Sequence, residues 1–271
     1  TFSQCGKGMP VEGMNEAGLV VEQATLPETV YPAKDEKSEI SCLETIQYLL
    51  DLGGSVPEAL ELFGTFRINP SSWPLHYFLC DPSGERAIVE FLGGKMRLYK
   101  GPLLEKPVLT NVPYEVALEE IRETQGDFSE DYRGNALERF RRVVRGLEKK
   151  ESISLSETLE LLDGAKRSDT AWQCVYDLQN REILFTSVYD RRPQKISLHD
   201  VDLSESGLSL LYDLETPGES FAFEPYSREK NRKNIEGFFN NETMVSMMNL
   251  PSADFVIHAY DNHIHSIETG K

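Results

Sequence analysis

Gly13-Met14-Asn15-Glu16-Ala17-Gly18-Leu19 runs directly into Val20-Val21-Glu22. Two glycines bracket a polar pair, and an apolar run follows. That pattern predicts a hairpin turn feeding a buried strand. Asn15 and Gly18 are residue types that tolerate positive φ, so the turn is expected to bend at those two positions. The strand is read over Leu19 to Leu26, and Pro27 to Lys37 as a loop. Upstream, Gly6, Gly8 and Pro10 punctuate a short stretch whose start, Thr1-Phe2-Ser3-Gln4, alternates like a strand.

Downstream, Ser41-Cys42-Leu43-Glu44 reads as a capping box opening an amphipathic helix through Ile46, Leu49 and Leu50. Gly53-Gly54 stops it. Ser55-Val56-Pro57-Glu58 reads as a second box, with proline tolerated in a first turn. Strands are predicted at His76 to Cys80, Ala87 to Leu92 and Met96 to Tyr99, with a short fourth at Pro107 to Thr110. Helices are predicted at Tyr114 to Thr124, Leu137 to Leu147 and Ser154 to Leu162. Thr170 to Leu178 and Ile183 to Tyr189 pair across a turn at Gln179-Asn180-Arg181, and Lys195 to Leu198 is a last strand. Helices and strands come in blocks, so the expected class is α+β with antiparallel sheets. From about Ser204 aromatic and polar residues mix, with a helix expected over Asn231 to Phe239. The chain is therefore divided into a core, 1–203, and an extension packed on it, 204–271.

The 271 residues hold 45 acidic against 28 basic side chains, a net charge of −17. Such a surface disfavours broad contact with nucleic acid or anionic lipid. No apolar run approaches the roughly 20 residues of a membrane span, and no signal-peptide pattern opens the chain. The compartment stays open between cytoplasm and periplasm or secretion, and a homo-oligomer is compatible with the sequence. Cys5, Cys42, Cys80 and Cys174 form no CxxC, which argues against zinc; the last three sit in apolar surroundings and read as small core residues.

GxSxG, P-loop, GxGxxG and HExxH motifs are absent. Four groups remain as candidates for chemistry. His258, His263 and His265 offer imidazoles near the C-terminus, as a metal site or as a solvated tail. Asn111 ends a predicted strand before Val112-Pro113, where a carboxamide donates to a developing oxyanion or closes an Asx turn. Arg139, on a helix with an apolar face, needs a carboxylate or substrate anion, or else snorkels to the surface. Thr1 is a nucleophile if its own amine serves as base.

Taken together, several of these stretches resemble the choloylglycine hydrolase and penicillin V acylase family. After Gly13 to Leu19 come Leu26-Pro27 and Tyr31-Pro32, then Glu44 to Leu50, Ser55 to Ala59, and Leu75-His76-Tyr77 with Asp81 and Gly84. Val89-Glu90, Tyr99, Val108-Leu109-Thr110-Asn111 with Pro113, and Arg139-Phe140 follow in family order. Thr170, Trp172, Val175-Tyr176-Asp177 and Phe185-Thr186 close the series. Residues 1 to about 200 are covered. The resemblance implies a four-layer αββα sandwich of antiparallel sheets and hydrolysis of small-molecule, non-peptide amides. It implies a nucleophilic N-terminal Cys whose α-amine is the base, no cofactor, Asn111 in the oxyanion hole, and Arg139 orienting or polarising the nucleophile. Thr25 stands where bile salt hydrolases carry Asn and penicillin acylases Tyr, as a substrate-binding and oxyanion-hole position. Its shorter side chain would need help from a backbone N–H or a water.

The departure is at the front. In the family the Cys, an Arg and an Asp precede the GMNEAGL block by roughly 60 residues, whereas 12 residues precede Gly13. The chain is thus expected to lack the family nucleophile. Either a separate N-terminal peptide supplies it, or this piece alone is inactive and unstable, or Thr1 replaces it. The expected function is a linear-amide hydrolase acting on bile salt, penicillin V or N-acyl amide substrates. The rivals are a non-catalytic binding or scaffold protein that keeps the fold, and a metal-dependent hydrolase using the three histidines.

Overall fold

The computed structural model describes residues 1–4, 6–149, 152–203, 209–215, 217 and 221–240. In chain order they form β1 (Glu12–Met14), β2 (Val20–Thr25), β3 (Ser38–Ile40), α1 (Cys42–Leu52), α2 (Val56–Leu62), β4 (Phe66–Ile68), β5 (Leu75–Cys80), β6 (Arg86–Leu92) and β7 (Lys95–Lys100). Then follow α3 (Tyr114–Glu123), α4 (Tyr132–Glu148), α5 (Leu155–Asp163), β8 (Trp172–Asp177), β9 (Glu182–Ser187), β10 (Gln194–Ser197), β11 (Leu210–Leu211), β12 (Glu224–Pro225) and α6 (Arg228–Phe239). The class is α+β.

The largest sheet has five antiparallel strands in the order β1-β2-β5-β6-β7. Alternation along its strands sends Val21, Tyr77, Leu79 and Val89 to one face, where they pack with Ile46 and Leu49 of α1 and Ala59 of α2. The other face is shared. Phe78, Ile88 and Tyr99 meet α3 and α4 through Tyr114, Leu137 and Phe140. Met14 and Val20 meet a second antiparallel sheet, β10-β9-β8, through Ile183, Tyr176 and Ile196. β3 and β4 pair in parallel, the one departure among the described strands from the antiparallel expectation.

The opening stretch forms the expected hairpin, with Gly13 opposite Val21. Gly18 has φ +84°, and a Cβ there would lie 2.7 Å from Pro82 Cγ and 2.9 Å from Arg181 Nε. Asn15 does not share that conformation: Arg181 alone among the described non-glycine residues has positive φ. Its side chain works instead. Oδ1 accepts from Leu19 N–H at 3.0 Å, and Nδ2 donates to Leu50 O at 2.8 Å and Gly53 O at 2.7 Å. One carboxamide thereby closes the turn and satisfies carbonyls left over at the end of α1.

Ser41 and Glu44 form the expected reciprocal box. Ser55 caps Glu58 N–H, but the Glu58 carboxylate turns back to Gly54 N–H at 2.7 Å, one residue short of a true box. Pro107 to Thr110 is not a strand. Proline has no N–H for a ladder, Val108 N–H turns back onto Lys106 O, and the Tyr114 hydroxyl bonds both polar backbone groups of Lys106. Helix α4 begins five residues before its expected start, because Asp131 accepts from Gly134 N–H at 2.7 Å as N-cap. Arg141 is buried against Glu138, Gly126 O and the Phe128 ring.

In the tail, Phe185, Tyr212, Phe221 and Phe223 form one aromatic chain, Asn231 Oδ1 accepts from Lys7 N–H at 2.7 Å, and Ile235 and Phe239 are buried. No helix among the described residues is long and apolar enough to cross a membrane. Cys5, His258, His263 and His265 lie outside the described residues.

Asn15→Ala removes three hydrogen bonds and strands two helix-end carbonyls. It is expected to destabilise the fold by about 1–3 kcal/mol. Urea melting should show a lower midpoint at unchanged m-value.

Candidate functional site

Thr25 ends β2 beside Leu75 of β5. Asn111 lies in the irregular segment leading into α3, and Arg139 on α4. Although 86 residues apart, Asn111 and Thr25 touch: Asn111 Nδ2 donates to Thr25 O at 2.9 Å. Arg139 Nη2 donates to Asn111 Oδ1 at 2.7 Å, and Arg139 Nε to Asn135 Oδ1 at 3.0 Å. The carboxamide orientation follows from its partners, since guanidinium only donates and a carbonyl only accepts. Asn111 has two N–H donors, and one of them bonds Thr25. The second has no hydrogen-bond partner among the described residues. A fixed amide with a spare donor is the arrangement an oxyanion needs.

Thr25 is bonded through both its side chain and its backbone. Its hydroxyl accepts from Trp73 Nε1 at 3.0 Å, and its carbonyl holds Asn111. Arg139 is half-buried. Burial pulls its pKa down, the neighbouring Arg167 adds to that, and Tyr132 and Asp169 oppose it. Asp169 takes Arg167 bidentately at 2.9 and 3.0 Å, and the Arg167 head lies 5.2 Å from the Tyr132 ring centre. Arg167 also lines a cleft of about 560 Å³ with Leu159, Glu160, Thr170, Trp172 and Thr186, between α5 and the strands β8 and β9. Trp73, Arg167 and Asp169 carried no sequence signal, because each joins the site across sequence gaps that no spacing encodes.

Thr1 is elsewhere. It packs against Gly13, whose Cβ would lie 2.8 Å from Thr1 Cγ2, and Gly13 is opposite Val21, one strand over from β2. The residue as a whole is exposed, yet its α-amine is enclosed enough that burial lowers its pKa against the pull of Glu12. No described group of three or more His, Cys, Asp or Glu is arranged to hold a metal ion.

A second polar cluster lies between the two antiparallel sheets. Glu12 and Glu22 stand opposite each other on β1 and β2. Trp172 Nε1 donates to Glu12 Oε1 at 2.5 Å and Tyr176 OH to Oε2 at 3.0 Å. Burial, then the Glu12 charge, pushes Glu22 up to about 8. Burial also raises Glu12, against the bonds from Trp172 and Tyr176. Cys174, beside them, is pushed up by burial and by both carboxylates.

Residues 5–129 match the model of the choloylglycine hydrolase family of linear amide C-N hydrolases. No curated protein matches the chain. Among solved structures the chain is similar to penicillin V acylase from Agrobacterium tumefaciens, at 23% identity over 73% of this chain and 69% of that one, TM-score 0.60. A mutant of the conjugated bile acid hydrolase from Clostridium perfringens is similar at 18% identity over 81% and 77% of the two chains, TM-score 0.58. A second variant of that hydrolase gives 19% over 81% and 78%, TM-score 0.59. At these identities the structural likeness speaks for the fold.

The Glu12–Glu22 pair makes stability depend on pH. Folded Glu22 keeps its proton up to about pH 8, whereas the unfolded group loses it near 4.5. Stability is therefore expected to fall as pH rises through that window. Glu22→Gln should flatten the fall, read as denaturation midpoints at pH 5 and pH 8.

Proposed function

We propose that this chain, which belongs to the choloylglycine hydrolase family of linear amide C-N hydrolases, forms the electrophile-binding half of an amide hydrolase site. The observation that carries this reading is the Arg139–Asn111–Thr25 chain of hydrogen bonds, with its spare Asn111 N–H. Asn111 donates to the carbonyl oxygen as it gains charge. Arg139 fixes the carboxamide and adds positive potential in a half-buried setting. Thr25 anchors Asn111 through its carbonyl.

The reaction assigned to the site is acyl transfer. A thiolate attacks the amide carbon and the oxyanion forms against Asn111. The C–N bond then breaks as the amine takes a proton, and water releases the acid from the thioester. Cys42 and Cys80 are poor candidates for that thiolate, since burial pushes both up to about 12. Cys174 is raised as well, and none of the three is bonded to the Asn111 group. The nucleophile is therefore assigned outside these three residues, with an N-terminal Cys as the chemical type. Four layers follow from the same reading: α1 and α2, the five-stranded sheet, the β8–β10 sheet and α5, a helix–sheet–sheet–helix order that the two antiparallel sheets packed through Val20 and Ile183 support.

Substrates of the class are acylated small amines: bile acids conjugated to glycine or taurine, phenoxyacetyl penicillin and N-acyl homoserine lactones. Turnover of such a panel tests the reading. Asn111→Ala and Arg139→Ala are each expected to lower kcat about 10²–10³-fold, with iodoacetamide abolishing it. Activity that survives iodoacetamide and is lost in Thr1→Ala would move the nucleophile to Thr1. Binding of the panel without turnover would make the chain a binding relative.

A further inference from the structure

Helix α3 starts on a defect. Its N-cap is Pro113, which has no side-chain acceptor and makes no side-chain cap bond. The first-turn N–H groups of a helix need an acceptor from somewhere. Here it comes from the sheet: Glu90 Oε1, on β6, accepts from Tyr114 N–H at 2.9 Å. A carboxylate in that place also meets the positive end of the helix. The same oxygen lies 3.0 Å from His76 Nδ1 on β5, and both side chains are fully buried.

His76 stands opposite Ala24, the residue before Thr25 on β2. Asn111 lies three residues before Tyr114. The Asn111-Val112-Pro113 segment is thus pinned at both ends to neighbouring points of one sheet. At one end the Asn111 carboxamide bonds Thr25 O; at the other the backbone of Tyr114 bonds Glu90. Val112 and Pro113 are buried between them.

We propose that His76 and Glu90 are positioning residues for Asn111: their buried pair replaces the missing cap of α3 and holds the segment so that the spare Asn111 N–H stays aimed at the oxyanion. The proposal rests on the amidase reading of the Asn111 site, and it names two residues that touch no substrate. A pair that only stabilised the core would affect folding and leave the Asn111 carboxamide where it is.

The test has two readouts. The first is the side-chain NH₂ resonance pair of Asn111 in the full chain, assigned by its loss in Asn111→Asp. Glu90→Ala and His76→Leu are expected to shift and broaden that pair, and Glu90→Gln and His76→Asn, which keep an acceptor and a donor in place, to restore it. The second is kinetic. Glu90→Ala should lower kcat about 10–100-fold with KM within about twofold, as for a misplaced group outside the chemistry, and Glu90→Gln should recover most of the loss. If Glu90→Ala does not fold, His76→Asn and Glu90→Gln still decide, because loss of the wild-type Asn111 signal in either overturns the pairing described. An unmoved Asn111 pair in folded Glu90→Ala or His76→Leu overturns the proposal. A wild-type chain that turns over no amide, yet shows the expected shifts, overturns the amidase reading and leaves the positioning role standing.

Discussion

Strand β2 is held at each end by a side-chain carboxamide, and the rest of the molecule is arranged around that double attachment. At its start Asn15 takes Leu19 N–H and gives two bonds to the end of α1. At its finish Asn111 donates to Thr25 O and accepts from Arg139. The first clamp joins the strand to the helical layer on one face. The second joins it to α4, which covers part of the other. Amides suit both places because each can donate and accept at once without carrying a charge of its own.

Among the described residues the buried guanidinium groups have partners, Arg67 with Glu39 and Arg141 with Glu138, and the buried His76 ring bonds the Glu90 carboxyl. Glu12 instead faces Glu22. There burial, and after it the neighbouring Glu12 charge, pushes Glu22 up to about 8, and burial raises Glu12 as well. The face between the two antiparallel sheets is therefore polar at one end and apolar at the other, where Met14, Val20 and Ile183 meet.

Local chemistry was legible in the sequence wherever a few neighbouring residues decide the outcome. Ser41 and Glu44 mark a helix start, Gly18 marks a bend, and the alternation of Phe78, Leu79 and Cys80 marks a strand with two different faces. The failures came where a distant group took over. Pro107 to Thr110 has strand composition, but the Tyr114 hydroxyl occupies the backbone groups of Lys106 that a ladder would use. Asn15 is a residue type for positive φ, but two carbonyls of α1 and Gly53 use its amide in another conformation. Of the site, Asn111, Arg139 and Thr25 were named from residue type and resemblance, and they do come together. Trp73, His76 and Glu90 were not named as site groups, since a cross-strand pair leaves no mark in either strand's spacing.

Proline at a helix N-cap explains why those unread residues matter. Pro113 fixes φ and so stiffens the approach to α3, but it cannot cap the helix it introduces. A Ser or Asp there would cap locally and leave the segment free to pivot about its own bond. With proline, the acceptor has to come from outside, and it comes from a strand that cannot move without disturbing the sheet. The cost of burying Glu90 is thereby turned into a fixed relation between the sheet and the helix start. Asn111, three residues upstream and tied to the same sheet through Thr25, has no slack left along the backbone. On the amidase reading proposed for this site, the Asn111 carboxamide gains from that stiffness, because nothing then has to reorganise when charge appears on the oxyanion.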